Sequence, residues 1–250
     1  EGMFEAPYSP DAIFALHITP LMDSGKFTGR PGPILAAADT WKIKVTGKGG
    51  HASMPHDALD PIPVACEIVQ ALQHMVVSRI NAFNPVVLTT TKIEAGTTSN
   101  VIPESVDMLG TLRSTSERSR AKAHEGIKRI ATQIAMAHEM EAEVELNYGY
   151  DVTINNDEKA IFAADVATAV SGERNVRMMD HPVMGAEDFS YVLNRVPGAM
   201  MFLGLMPEGM DIMKAAPNHS NRAIYEETHM ARGIAVYSSV ALRHLGVPLS

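Results

Sequence analysis

Trp41-Lys42-Ile43-Lys44-Val45-Thr46 alternates an apolar with a polar side chain at every step. Successive strand side chains point to opposite faces, so this period marks a strand with one face on a core and one on solvent. Forward of it, Asp60-Pro61 opens a helix with proline in the first turn, where the missing N–H has no intrahelical partner to lose. Ile62, Ala65, Ile68, Val69 and Leu72 recur at three-to-four spacing and form its apolar face. A β-rich run follows from Val86 to Ile93. Val106, Met108 and Leu112 then alternate with Asp107, Thr111 and Arg113. A second, longer helical pattern starts near Glu117, with Ile127, Ile130 and Ile134 on one face. Ala142, Val144, Leu146 and Tyr148 finally alternate with Glu141, Glu143, Glu145 and Asn147. The order β-α-β-β-α-β is the split, ferredoxin-like arrangement, one sheet with two helices on one face, and it can bury a core of its own. It is assigned to residues 39–150.

The flanks read differently. Ala12 to Leu16 and Ala199 to Leu203 are short apolar runs suited to buried strands, while residues 158–171 form a helical pattern ended by Gly172. Thr228 to Leu245 reads as a last helix, stopped by Gly246 and Pro248. Buried strands alternating with helices suggest a parallel α/β sheet, so residues 1–38 and 151–250 are expected to be two parts of one α/β domain interrupted by the smaller one. The opening Glu1-Gly2-Met3-Phe4 has no initiator Met in front of it and reads as a cut edge, because the first apolar strand needs neighbours from upstream.

Composition narrows the function. The chain has 250 residues, 46% of them hydrophobic, which suits a globular protein with a real core. Its net charge is −8 with no basic run, so a nucleic-acid partner is not expected. No apolar stretch approaches the ~20 residues that cross a bilayer. A single cysteine, Cys66, cannot form an internal disulfide, which points to a reducing, cytoplasmic compartment.

Five clusters could carry chemistry. His17 follows an apolar strand-like run and is expected at that strand's C-terminal end, where α/β sheets bind ligands, although a hydrogen-bonded core histidine has the same local context. Gly47-Lys48-Gly49-Gly50-His51-Ala52-Ser53-Met54-Pro55-His56 formally fits a dinucleotide glycine pattern. Pro55 and Asp57 then delay the helix that such a site needs at once, so the glycines read instead as a turn presenting His51 with little cover. Asn100, in Thr97-Thr98-Ser99-Asn100-Val101, could bond a polar ligand or simply make the turn. Arg113, ending the next strand, could clamp a carboxylate or lie solvated. Glu187 and Asp188 precede an apolar helix and either cap it or orient a metal-ligand histidine. His219 lies in a polar loop, Pro217-Asn218-His219-Ser220. No H-E-x-x-H, C-x-x-C or G-x-S-x-G motif is present.

Taken in order, Gly-Lys-Gly-Gly-His-Ala-Ser-Met-Pro-His at 47–56, Thr-Ser-Asn-Val-Ile-Pro at 98–103 and Gly-Ala-Glu-Asp-Phe at 185–189 resemble the M20 metallopeptidases, in the branch that hydrolyses hippurate, other N-acyl amino acids and auxin conjugates. The resemblance runs along the whole chain. It implies a catalytic α/β domain with an inserted lid that often forms a homodimer interface, a site holding one or two divalent metals (zinc or manganese), and hydrolysis of the amide bond of a small N-acyl amino acid. Carried over by motif, His17 and His219 become metal ligands and His51 the oxyanion donor, acting in the partner subunit's site. Asn100 and Arg113 become contacts to the substrate carboxylate, and Glu187 a supporting residue near the metals. The Cys, His and paired Glu of the family's N-terminal third are not in this sequence, and Cys66 does not match the ligand cysteine. A chain of this span is therefore expected to be inactive by itself. A di- or tripeptidase of the same family and a non-catalytic dimeric fragment are the alternatives.

Overall fold

The computed structural model describes residues 4, 5, 7 and 9–247. In chain order its elements are β1 (Ile13–Asp23), β2 (Phe27–Gly29), β3 (Gly32–Leu35), β4 (Ala37–Thr46), β5 (Gly50–His51), α1 (Pro61–Arg79), β6 (Val86–Ala95), β7 (Val101–Ile102), β8 (Ser105–Ser114), α2 (Glu117–Ala137), β9 (Glu141–Asn147), β10 (Thr153–Asn155), α3 (Asp157–Ser171), β11 (Val176–Met178), α4 (Phe189–Leu193), β12 (Gly198–Met206) and α5 (Met230–His244). They form two compact units. One comprises residues 35–152 with 184–188, and the other the remainder.

In the unit of residues 35–152, the sheet runs β6-β8-β4-β9 with every neighbour antiparallel. This is the ferredoxin-like order, in which the first and third strands are central and the second and fourth are edges. Trp41, Ile43 and Val45 of β4 are buried with Val106, Met108 and Leu112 of β8 under the two helices. Asp60 caps α1 by accepting from the Ile62 amide, and Ser116 caps α2 by accepting from the Ser119 amide. The buried stripe of α1 is Pro61, Val64, Ala65, Ile68, Leu72 and Met75. Val64 replaces the expected Ile62, which is exposed. Both residues fit a three-to-four period, and only the helix's rotation on the sheet decides between them.

The other unit holds a four-stranded sheet in the order β1-β12-β2-β11. β1 is parallel to β12 and β11 to β2, but β12 and β2 are antiparallel, so the sheet is mixed rather than wholly parallel. The reversal follows from the short turn between β1 and β2, which sends the chain straight back beside β12. Phe27, Met201, Leu203 and Leu205 form the core with Ala163, Val166 and Ala167 of α3 and Val236 and Val240 of α5. Asn156 caps α3 by accepting from the Lys159 amide, and Gly172 ends it at φ 86°, a conformation open to glycine. Gly246 follows α5 at φ 76°, while Pro248 lies outside the described residues. No helix among the described residues is long and apolar enough to cross a membrane.

Candidate functional site

The two expected metal-ligand histidines lie in the same unit. His17 sits inside β1 rather than at its end, because Ile18 and Thr19 continue the strand. Regular pairing with β12 persists to Thr19 and shifts before Asp23, just where Pro20 removes a donor. His17 Nδ1 lies 2.7 Å from the Ile18 carbonyl oxygen. A carbonyl only accepts, so Nδ1 carries the proton and Nε2 the lone pair, the tautomer of a ligand imidazole oriented by a backbone carbonyl. The Asn218 side-chain Nδ2 donates to the same Ile18 oxygen at 2.9 Å, and the Tyr225 hydroxyl donates to Asn218 Oδ1 at 2.9 Å. These bonds tie the loop carrying His219 to the strand carrying His17. His219 itself has φ 69°, an unusual conformation for a non-glycine residue. The donor chemistry therefore fits a divalent metal, but two imidazoles are too few to hold one. Among the described residues no group of three His, Cys, Asp or Glu side chains could do so.

His51 and Asn100 belong to the other unit, and the fold brings them together. The glycine-rich segment enters β5, whose Gly50 and His51 pair with Ile102 and Val101 of β7. The Ala52 amide donates to the Asn100 carbonyl at 3.1 Å, extending that small ladder. No helix starts here; a 3-10 turn at Pro55–Asp57 precedes α1. His51 Nδ1 receives the Ser53 amide at 3.1 Å and faces the Ser53 hydroxyl at 2.8 Å. Thr98 donates its hydroxyl to Asn100 Oδ1 at 3.2 Å. His51 and Asn100 are both solvent-exposed.

Arg113 is not brought to them. It lies near the far end of β8, paired with Ala38 and Val87. From Ser105, close to β7, it is about 26 Å along the strand at ~3.3 Å per residue. Glu187 falls in residues 184–188, where the Gly185 carbonyl accepts from the Ala36 amide at 2.8 Å.

Sequence reading missed the most heavily buried charge cluster. Asp39 in β4 accepts from Arg120 Nη2 at 2.6 Å and Arg120 Nε at 2.8 Å, from the Gly149 amide at 3.0 Å, and pairs with His124 Nε2 at 2.8 Å. Arg120 also donates to Asp151 and Glu117, and its guanidinium lies over the Tyr148 ring. Burial alone would raise the Asp39 pKa. The hydrogen bonds from Arg120, His124 and Gly149 and the Arg120 charge outweigh it and hold the carboxyl far below its usual range. The cluster ties the segments entering and leaving the β-α-β-β-α-β unit to α2. Polar residues at the ends of strand and helix patterns read as solvated, so no local signal marked it.

The family model of the M20 peptidase dimerisation domain matches residues 37–139. Thermostable carboxypeptidase 2 of Saccharolobus solfataricus is 35% identical over 238 residues, covering 93% of this chain and 58% of that protein. The hippurate hydrolase of Campylobacter jejuni is 31% identical over 245 residues, covering 98% and 62%. The chain thus spans about three-fifths of the curated relatives it matches. Among solved structures, the YXEP protein of Bacillus subtilis, described as a dinuclear metal-binding peptidase from the M20 family, superposes with a TM-score of 0.75 at 22% identity, covering 99% of this chain and 60% of that one.

Proposed function

The chain belongs to the M20 peptidase family, and on that premise we propose that the intact protein hydrolyses the amide bond of N-acyl amino acids in a metal-dependent reaction. The observation that carries this reading is the β5–β7 ladder, which sets His51 beside Asn100 with the His51 Nδ1 already taken by Ser53. Its Nε2–H is then a donor for a scissile carbonyl whose oxygen gains negative charge in the transition state. Asn100 and Arg113 would hold the substrate's carboxylate, Arg113 bidentately. His17 and His219 would supply two ligands of a divalent metal site, completed by residues outside this chain, with Glu187 as a supporting neighbour. A bound metal, zinc or manganese, supplies a nucleophile at neutral pH and polarises the scissile carbonyl. In this reading residues 1–38 and 151–250 are the catalytic domain, residues 39–150 the lid, and the enzyme works in the cytoplasm.

The lid also supports a homodimer. Of its two edge strands, β9 exposes Glu141, Glu143 and Glu145, which would repel a second copy. The β6 side instead exposes apolar groups: Val77 of α1 is 86% exposed and Phe83, just before β6, is 93% exposed. Two β6 edges paired about a twofold axis perpendicular to the sheet run antiparallel. The Arg113 end of one copy then lies alongside the Asn100 end of the other, which resolves their separation within a single chain.

The test is steady-state kinetics on the intact protein with hippurate and a panel of N-acyl amino acids and dipeptides. Hydrolysis of the N-acyl substrates should stop on chelation and return with zinc or manganese. His51→Ala should lower kcat by about 10²–10³ with metal content unchanged. Faster turnover of dipeptides would favour the peptidase reading. No metal-dependent turnover of any substrate would leave only the non-catalytic one.

A further inference from the structure

Resting on the oxyanion role of His51, we propose that Ser53 is a positioning residue that selects the tautomer of His51 and aims its Nε2–H outward. The Ser53 backbone amide lies 3.1 Å from His51 Nδ1 and the Ser53 hydroxyl 2.8 Å from it. A backbone N–H can only donate, so Nδ1 must present its lone pair. A neutral imidazole has one N–H, and here it is on Nε2. Among the described residues Nε2 has no hydrogen-bond partner, so this donor is available to a ligand.

Backbone hydrogen bonds brace the arrangement. A side-chain acceptor closing on the amide two residues later is the geometry of an Asx-turn, with the ring nitrogen in place of a carboxyl oxygen. The Met54 amide donates to the His51 carbonyl at 2.8 Å, closing the same turn, and Ala52 is held to Asn100 from the other side. The opposite tautomer would turn the Nε2 lone pair towards a developing oxyanion and repel it. His17 makes the contrast plain: its Nδ1 meets a carbonyl that only accepts, which leaves the lone pair on Nε2. One backbone group prepares a histidine to ligate, and another prepares a histidine to donate.

Any residue except proline keeps the amide at position 53. The hydroxyl is what serine adds, so Ser53→Ala removes one of two donors and Ser53→Thr restores it. Nitrogen-15 NMR of the labelled 250-residue chain, recorded about two pH units above the ordinary imidazole value of ~6.5, reads the tautomer directly. In the wild-type chain Nδ1 should give the unprotonated signal and Nε2 the protonated one. Ser53→Ala should raise the Nδ1–H population roughly two- to tenfold, in line with the loss of one hydrogen bond, and Ser53→Thr should reverse this. In the intact enzyme kcat should follow the tautomer, with KM little changed. A wild-type His51 protonated on Nδ1, or a Ser53→Ala chain with an unaltered tautomer, overturns the proposal. The two readings fail separately. If the tautomer is as stated but His51→Ala leaves kcat intact, the oxyanion role falls and Ser53 still positions the ring. If His51→Ala lowers kcat but Nδ1 holds the proton, the oxyanion role survives and the positioning role falls.

Discussion

Asp39 and Arg120 form a buried ion pair in the β-α-β-β-α-β unit. Both are buried, and their two-point contact is supported by His124 and the Gly149 amide. Asp39→Asn leaves the buried Arg120 charge with only the more exposed Glu117 and Asp151 as carboxylate partners, so it should cost up to about 3–5 kcal/mol of stability at neutral pH. The acid dependence has a definite sign. Asp39 has a native pKa depressed below its ordinary 3.8, so its contribution is fully present above that value. It declines as pH falls further and is lost only once pH passes the depressed native value. Urea denaturation of wild type and Asp39→Asn should therefore show a constant difference from pH 7 down to about pH 4, narrowing below it. A difference already shrinking between pH 7 and pH 5 would assign the stability to some other group.

At the scale of the elements, the two central strands β4 and β8 meet closely at Gly110. Gly110 faces Trp41 across the ladder, and a Cβ placed there would stand 2.1 Å from Trp41 Cζ2 and 2.3 Å from the Thr89 carbonyl oxygen. One obstacle is a rigid indole and the other backbone, so neither yields cheaply. Gly110→Ala should destabilise the unit by roughly 1–3 kcal/mol, the range for overpacked cores, and Trp41 should become more exposed. Trp41 is the only tryptophan, so a lower melting temperature with red-shifted emission reports on this contact alone. An unchanged melting temperature would mean that the strands separate without cost. The order of these elements was legible in the alternation of residues 41–46 and 106–113. The demand for glycine at 110 was not, because only pairing in register sets it opposite the indole.

For the whole molecule, the separation of Arg113 from His51 and Asn100 makes the assembly testable. Each active site would take Arg113 from one copy and His51 from the other. The intact His51→Ala and Arg113→Ala variants should each be severely impaired alone. After dissociation and random mixing, half the dimers are mixed and each has one complete site of two, so about a quarter of wild-type activity should return. Recovery of no activity, with mixed dimers verified by mass, would place both residues in the same copy's site and remove the twofold arrangement through β6.

Periodicity and punctuation, which are local, were enough to reveal two kinds of domain in one chain. Alternation at Trp41, Ile43 and Val45, the Asp60-Pro61 helix start and the Gly172 stop each depend on a few adjacent residues, and the structure has strands and helices at those positions. The motifs at 47–56 and 98–103 marked His51 and Asn100 as candidates, and the fold sets their segments side by side. Tertiary structure decided what depends on distant partners. The chain's reversal between β1 and β2 made the second sheet mixed, and the packing of α1 chose Val64 over Ile62. Asp39, Arg120 and Gly149 look like unrelated surface residues until folding brings them into contact across as many as 110 positions. The tautomers of His17 and His51 follow from which backbone group, a carbonyl or an amide, the fold sets against Nδ1. A sequence names its acceptors and donors, but only the folded chain determines which of them meet.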